Sequence, residues 1–178
     1  MQMSEMEQVS PIRTATYPHD YANSPMASLD LESIMYKLCH PTRGSNWAVE
    51  RAKKAVEFYR RWLWLSAMYP TVNLSPSHDL DIVWHTHILD TRKYADDCEL
   101  MFGRFMHHNP FSGLRDEQAA GRREEAYRLT KSLFLKHFGA EEYDNETLCC
   151  CGYCDNDVDT DNDGFRPRLC DLPNLTAN

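Results

Sequence analysis

The chain has 178 residues, 42% of them hydrophobic, and a formal net charge of −8, which is enough for one domain with a core of its own plus tails. The charge is local: nine Asp or Glu and no Lys or Arg lie between Glu141 and Asp163, leaving 18 acids against 19 bases elsewhere. Beyond one helical face with Arg51, Lys53, Lys54, Arg60 and Arg61 there is no basic patch, and no apolar run nears the roughly 18 residues of a membrane span, so neither a nucleic-acid nor a membrane partner is expected.

Residues 1–27 are polar and interrupted by Pro11, Pro18 and Pro25, which predicts an extended or disordered arm with local packing through Tyr17 and Tyr21. The stretch Met1 to Pro25 has no basic segment followed by an apolar run, so a cytoplasmic protein is expected. Its seven cysteines then read as thiols rather than a disulfide framework.

A first helix is expected from Leu29 to Cys39, where Leu31, Ile34, Met35 and Leu38 recur at helical spacing and Pro41 to Gly44 closes the element. The second runs from Trp47 to Met68, with Ser45 or Asn46 as its cap. Its stripe of Ala52, Val56, Tyr59 and Leu63 marks a core helix, and Trp62 and Trp64 leave open whether a second face is also buried.

Ser75-Pro76-Ser77 announces a third helix, Asp79 to Leu89, which Asp90-Thr91 either breaks or bends. Tyr94, Cys98, Met101 and Phe105 trace the next stripe, stopped by Gly103. A loop from His107 to Gly113 leads to a last long helix, Asp116 to Phe138, with Tyr127, Thr130, Phe134 and Phe138 on one face and Gly139 as C-cap. The fold class expected is all-α: a compact bundle of four to five helices over residues 28–139, followed by an irregular, acidic, cysteine-rich tail over 140–178.

The chemistry is concentrated between His78 and His108, where five of the eight histidines fall within 31 residues, beside Asp79, Asp81, Asp90, Asp96, Asp97 and Cys98. Imidazole and carboxylate are the usual ligands of zinc and non-haem iron. On a straight helix, residues two apart point about 200° away from each other, so His85 and His87 cannot chelate one ion. His78, Asp81 and His85 share a face and form the expected ligand set, with His107 or His108 folding back after Gly103. His87 then shares another face with Trp84, Thr91 and Tyr94, and is either a hydrogen-bonded structural histidine or, with Tyr94, a mover of protons. The alternative is that Trp84, Ile88, Tyr94 and Cys98 are core and the histidines are satisfied by backbone and carboxylates.

The segment Asp81-Ile-Val-Trp-His-Thr-His-Ile-Leu-Asp90, followed by Tyr94, Asp97-Cys98, Phe102-Gly103 and His107-His108, resembles the glycine-rich domain-containing protein family. The resemblance covers about residues 30–138 and rests on a Trp-His-x-His-x-Leu signature. It implies a domain of unknown function found in plants, fungi and bacteria, with Asp81, Trp84, His85, His87, Tyr94, Cys98 and His108 at motif positions. Larger plant members carry glycine-rich and RNA-recognition segments implicated in development and stress. This chain has neither, so no such role and no established reaction follows from the likeness.

In the tail, Cys151-Gly-Tyr-Cys154 has a metal-ligand spacing, and Cys170 with Cys149 or Cys150 would complete four thiolates. A thiol-bearing tail without metal is the alternative. Asp159, Asp161, Asp163 and Gly164 imitate the first half of a calcium loop, but Cys170 stands where the bidentate Glu belongs, so an acidic linker is the better reading. The function expected is a metal-binding module for zinc or iron. The rivals are a metal-dependent enzyme using the same cluster, and an interaction module docking a protein or peptide through the tail.

Overall fold

The structure is a computed structural model that describes residues 20–111, 117–139 and 154–155. Among these it contains five α-helices: α1 (Glu32–Cys39), α2 (Val49–Met68), α3 (His78–Leu89), α4 (Thr91–Phe102) and α5 (Glu117–Phe138). Two short strands, β1 (His107–His108) and β2 (Cys154–Asp155), pair antiparallel. The expected all-α class is therefore what is found, with this one small ladder added.

Helix α2 is the centre of the fold. Its expected stripe of Ala52, Val56, Tyr59 and Leu63 is buried, and so are Ala55, Trp62, Trp64, Leu65 and Ser66. A second buried face follows from its neighbours: α1 and α3 pack against one another and against α2, while α5 sets Phe134 against Phe58 and Phe138 against Trp64. Large aromatic rings bury on the order of 150–250 Å² each, so the fully covered Tyr59, Trp62, Trp64 and Trp84 supply much of the core.

Two helices begin later than their periodicity suggests, each for a local reason. The Asp30 carboxylate accepts from the Glu32 N–H at 3.0 Å and holds the chain in a turn, so α1 starts at Glu32 rather than Leu29. The Trp47 N–H donates to the Leu38 carbonyl at 3.1 Å, which ties this segment to the end of α1. Helix α2 therefore starts at Val49, with Ala48 at its N-cap and no side-chain cap, and Asn46 instead takes a left-handed φ of 52°. Residues 20–27, assigned from sequence to the arm, include a 3-10 turn at Tyr21–Asn23 capped by Asp20, and Met26 enters the core.

The basic face of α2 is largely neutralised. Arg51 bonds Asp79 through two nitrogens, at 2.8 and 2.6 Å, Lys53 pairs with Glu50, and Arg60 and Arg61 pair with Glu57. No helix among the described residues is long and apolar enough to cross a membrane.

Candidate metal centre

Helix α3 carries its polar residues inward. Leu80, Val83 and Trp84 are buried, but so are Asp79, Asp81 and His87. Charged groups are rarely covered without partners. The helix runs unbroken to Leu89 and then breaks: Asp90 (φ −84°, ψ 70°) ends α3 and begins α4. That resolves the choice between a break and a bend, and it turns α4 back along α3.

One turn of α3 separates Asp81 from His85, and their side chains meet at 3.5 Å between Oδ2 and Nε2. The third member arrives from β1. Gly103, in the left-handed region at φ 65°, ends α4 and reverses the chain, which brings His108 over the helix. Its Nε2 lies 2.9 Å from Nε2 of His85 and 3.5 Å from Oδ1 of Asp81. Asn109 then accepts from the Phe111 N–H at 3.0 Å and closes the turn beyond the strand.

Asp81, His85 and His108 can each offer one donor atom, all within 4.8 Å of one another. Two imidazole nitrogens about 2.0–2.1 Å from one ion are about 2.9 Å apart at a right angle and about 3.3 Å apart at a tetrahedral one, so the triangle fits a first-row divalent ion. Burial lowers the pKa of His85; the Asp81 carboxylate opposes this and His108 adds to it. A neutral ring keeps a lone pair for a metal. The side chains of Asp81 and His108 are 5% and 8% exposed and that of His85 is 43% exposed, so the group opens to solvent on the His85 side.

His87 faces the other way and is fully buried. Its Nε2 lies 2.9 Å from the Asp97 carboxylate, which can only accept, so this nitrogen donates and Nδ1 accepts from the Tyr59 hydroxyl at 3.0 Å. Lys93 donates to the same Asp97 oxygen at 2.9 Å. Burial lowers the His87 pKa in spite of Asp97, and it raises that of Tyr59. Tyr94 is 1% exposed. It accepts from Trp84 Nε1–H at 2.9 Å and donates its proton to the Met106 carbonyl at 2.6 Å.

Of the ligands expected from sequence, the fold brings Asp81, His85 and His108 together. His78 is exposed at the first position of α3, one turn before Asp81, and does not join them. His107 is exposed, with its ring 4.9 Å from that of Phe105, and stands opposite Asp155 in the ladder. Cys154 is opposite His108. Cys151 and Cys170 lie outside the described residues, as do Cys149, Cys150 and the acidic Asp159–Gly164 segment. Sequence reasoning placed Tyr59 only in a core stripe and gave Asp97 no partner. The signal was available for Asp97, which follows the buried His87 by ten positions across a helix break.

A family described as UCP032817-like matches residues 41–138, more than half of the chain and all of the group just described. The chain belongs to this family. Over 61 residues it is also 33% identical to glycine-rich domain-containing protein 1 of Arabidopsis thaliana, which bears out the resemblance read from the histidine segment. That match covers 32% of this chain and 7% of the plant protein, so the chain spans only a small part of the relative's length. No solved structure matches the chain.

Proposed function

We propose that this chain is a metal-binding domain holding one divalent ion, zinc or ferrous iron, on Asp81, His85 and His108. The observation that carries the reading is the donor triangle, contributed by two elements and closed by a histidine 23 residues beyond His85. Two histidines and a carboxylate are a donor set that zinc and non-haem iron both use. The domain is assigned to residues 28–139 of a cytoplasmic protein without a nucleic-acid partner. The acidic cysteine tail offers a separate docking or thiolate segment for a protein or peptide.

The second reading is a metal-dependent enzyme, and the number of ligands favours it. Three protein donors leave at least one coordination position for water, and a bound zinc or iron would supply Lewis acidity there. His85 then sets the open side toward solvent. His87 and Tyr94, whose hydrogen bonds are spent on Tyr59, Asp97, Trp84 and Met106, support the site as framework rather than as groups that meet a substrate.

Elemental analysis of protein purified without a metal-binding tag tests the first reading. Stoichiometric zinc or iron in the parent, lost in Asp81→Ala, His85→Ala and His108→Ala, supports it; a metal-free parent that also fails to take up Co(II) sinks it. Azide added to the Co(II) form separates the two readings. A shift of the visible bands reports an exchangeable position, and unchanged bands favour a closed, structural site.

A further inference from the structure

The helix that carries two of the three donors also grips the chain that delivers the third. Trp84 sits between Asp81 and His85 on α3, and its ring lies 4.5 Å from that of His108. Its Nε1–H donates to Tyr94 Oη, and Tyr94 donates to the carbonyl of Met106, two residues before His108. The Met106 side chain is 2% exposed and so anchors the same point in the core.

We infer that Tyr94 is a positioning residue for the metal site: through Trp84 on one side and Met106 on the other, it sets His108 at the height of Asp81 and His85. This rests on the metal reading proposed above. The physical argument is one of pre-organisation. Asp81 and His85 are fixed relative to one another by the helix, whereas His108 comes from a two-residue strand beyond a glycine reversal. A ligand on such a segment keeps its place only if the backbone beside it is pinned, and groups outside a metal's own ligands are known to govern affinity in this way. The Tyr94 hydroxyl has one proton to give and Met106 receives it, so the contact fixes the backbone without drawing on the imidazole itself.

The test compares Co(II) binding by the parent, Tyr94→Phe and Phe134→Leu, the last weakening the core where α5 meets Phe58, away from the donors. Tyr94→Phe should lose about 10–100-fold in Co(II) affinity and change its visible bands, while Phe134→Leu keeps the parent's affinity and bands. Parent-like affinity in a folded Tyr94→Phe overturns the inference, and so does an equal loss in Phe134→Leu, which would mean that general destabilisation is being read. If Tyr94→Phe does not fold, Trp84→Phe breaks the same link from its donor end and is held to the same outcomes. Failure of the parent to bind Co(II) overturns the metal reading and this inference together; parent binding with an indifferent Tyr94→Phe overturns this one alone.

Discussion

His85 and His87, two residues apart on α3, belong to different chemical environments: the first has Nε2 2.9 Å from Nε2 of His108, and the second is sealed between Tyr59 and Asp97. The divergence follows from 3.6 residues per turn on a helix that does not break until Asp90.

The two histidines should therefore fail differently. His85→Ala is expected to lose bound metal, with little change in stability when parent and variant are both compared metal-free, because its side chain is 43% exposed. His87→Ala is expected to keep the metal but lose about 2–5 kcal/mol of stability, since it leaves a cavity and strips the Tyr59 hydroxyl and Asp97 of a buried partner. Metal content and urea denaturation of both variants check this; equal metal loss in the two would refute the division.

Two glycines should respond to alanine with opposite signs. A Cβ on Gly44 would overlap the Lys37 carbonyl oxygen, which is backbone and cannot move aside, so Gly44→Ala should destabilise by about 1–3 kcal/mol or more. Gly121 lies within α5 and a Cβ there meets nothing within 4 Å. Gly121→Ala should stabilise by about 0.5–1 kcal/mol. Thermal melts of the pair would show a downward shift for the first and an upward one for the second.

Acid should loosen the end of α5. His137 packs its ring against Trp64 and Tyr69, with Nε2 2.7 Å from the Tyr69 hydroxyl, and Lys136 reaches the same hydroxyl at 3.2 Å. Burial lowers the His137 pKa first, and the Lys136 charge adds to it. A depressed histidine stays neutral in the fold while the unfolded chain takes up a proton near pH 6.5, so its contribution is present above that pH and lost as pH falls below it. The drop in urea midpoint between pH 7.5 and 5.5 should be smaller in His137→Gln than in the parent; an equal drop would assign the acid sensitivity elsewhere.

Truncation after Gly139 should leave the helices folded, because Phe134 and every other core residue among the described residues lie before that point. It also removes β2, the strand paired with His107–His108. The truncated protein should keep its helical circular dichroism while binding Co(II) less tightly, and loss of the helical signal would make the tail an integral layer.

The helices were legible because their apolar residues recur at 3.6: Ala52, Val56, Tyr59 and Leu63 pack as a stripe must. Helix starts were less so, since the hydrogen bond from Trp47 to Leu38 overrides a good capping residue at Asn46 and local sequence carries no trace of it. Phe105, read into the stripe of α4, lies beyond Gly103 and is 44% exposed, because the left-handed reversal ends the period. In the site, helical spacing put Asp81 beside His85. It also put His78 on that face, which the cluster does not include, and it could not choose between His107 and His108, because that choice depends on how far the chain turns back after α4 and on which of two adjacent strand residues faces the helix.

Trp84 gives the candidate centre an optical reporter of its own. With its indole against the His108 ring and 4.8 Å from that of Trp62, Trp84 is excited within a few ångströms of the donor triangle and Trp62 is coupled to it as its neighbour. An open-shell ion such as ferrous iron bound there would quench the intrinsic fluorescence by electron or energy transfer, whereas closed-shell zinc would leave it bright. The emission of the unlabelled protein should thus tell the two candidate metals apart in a single titration.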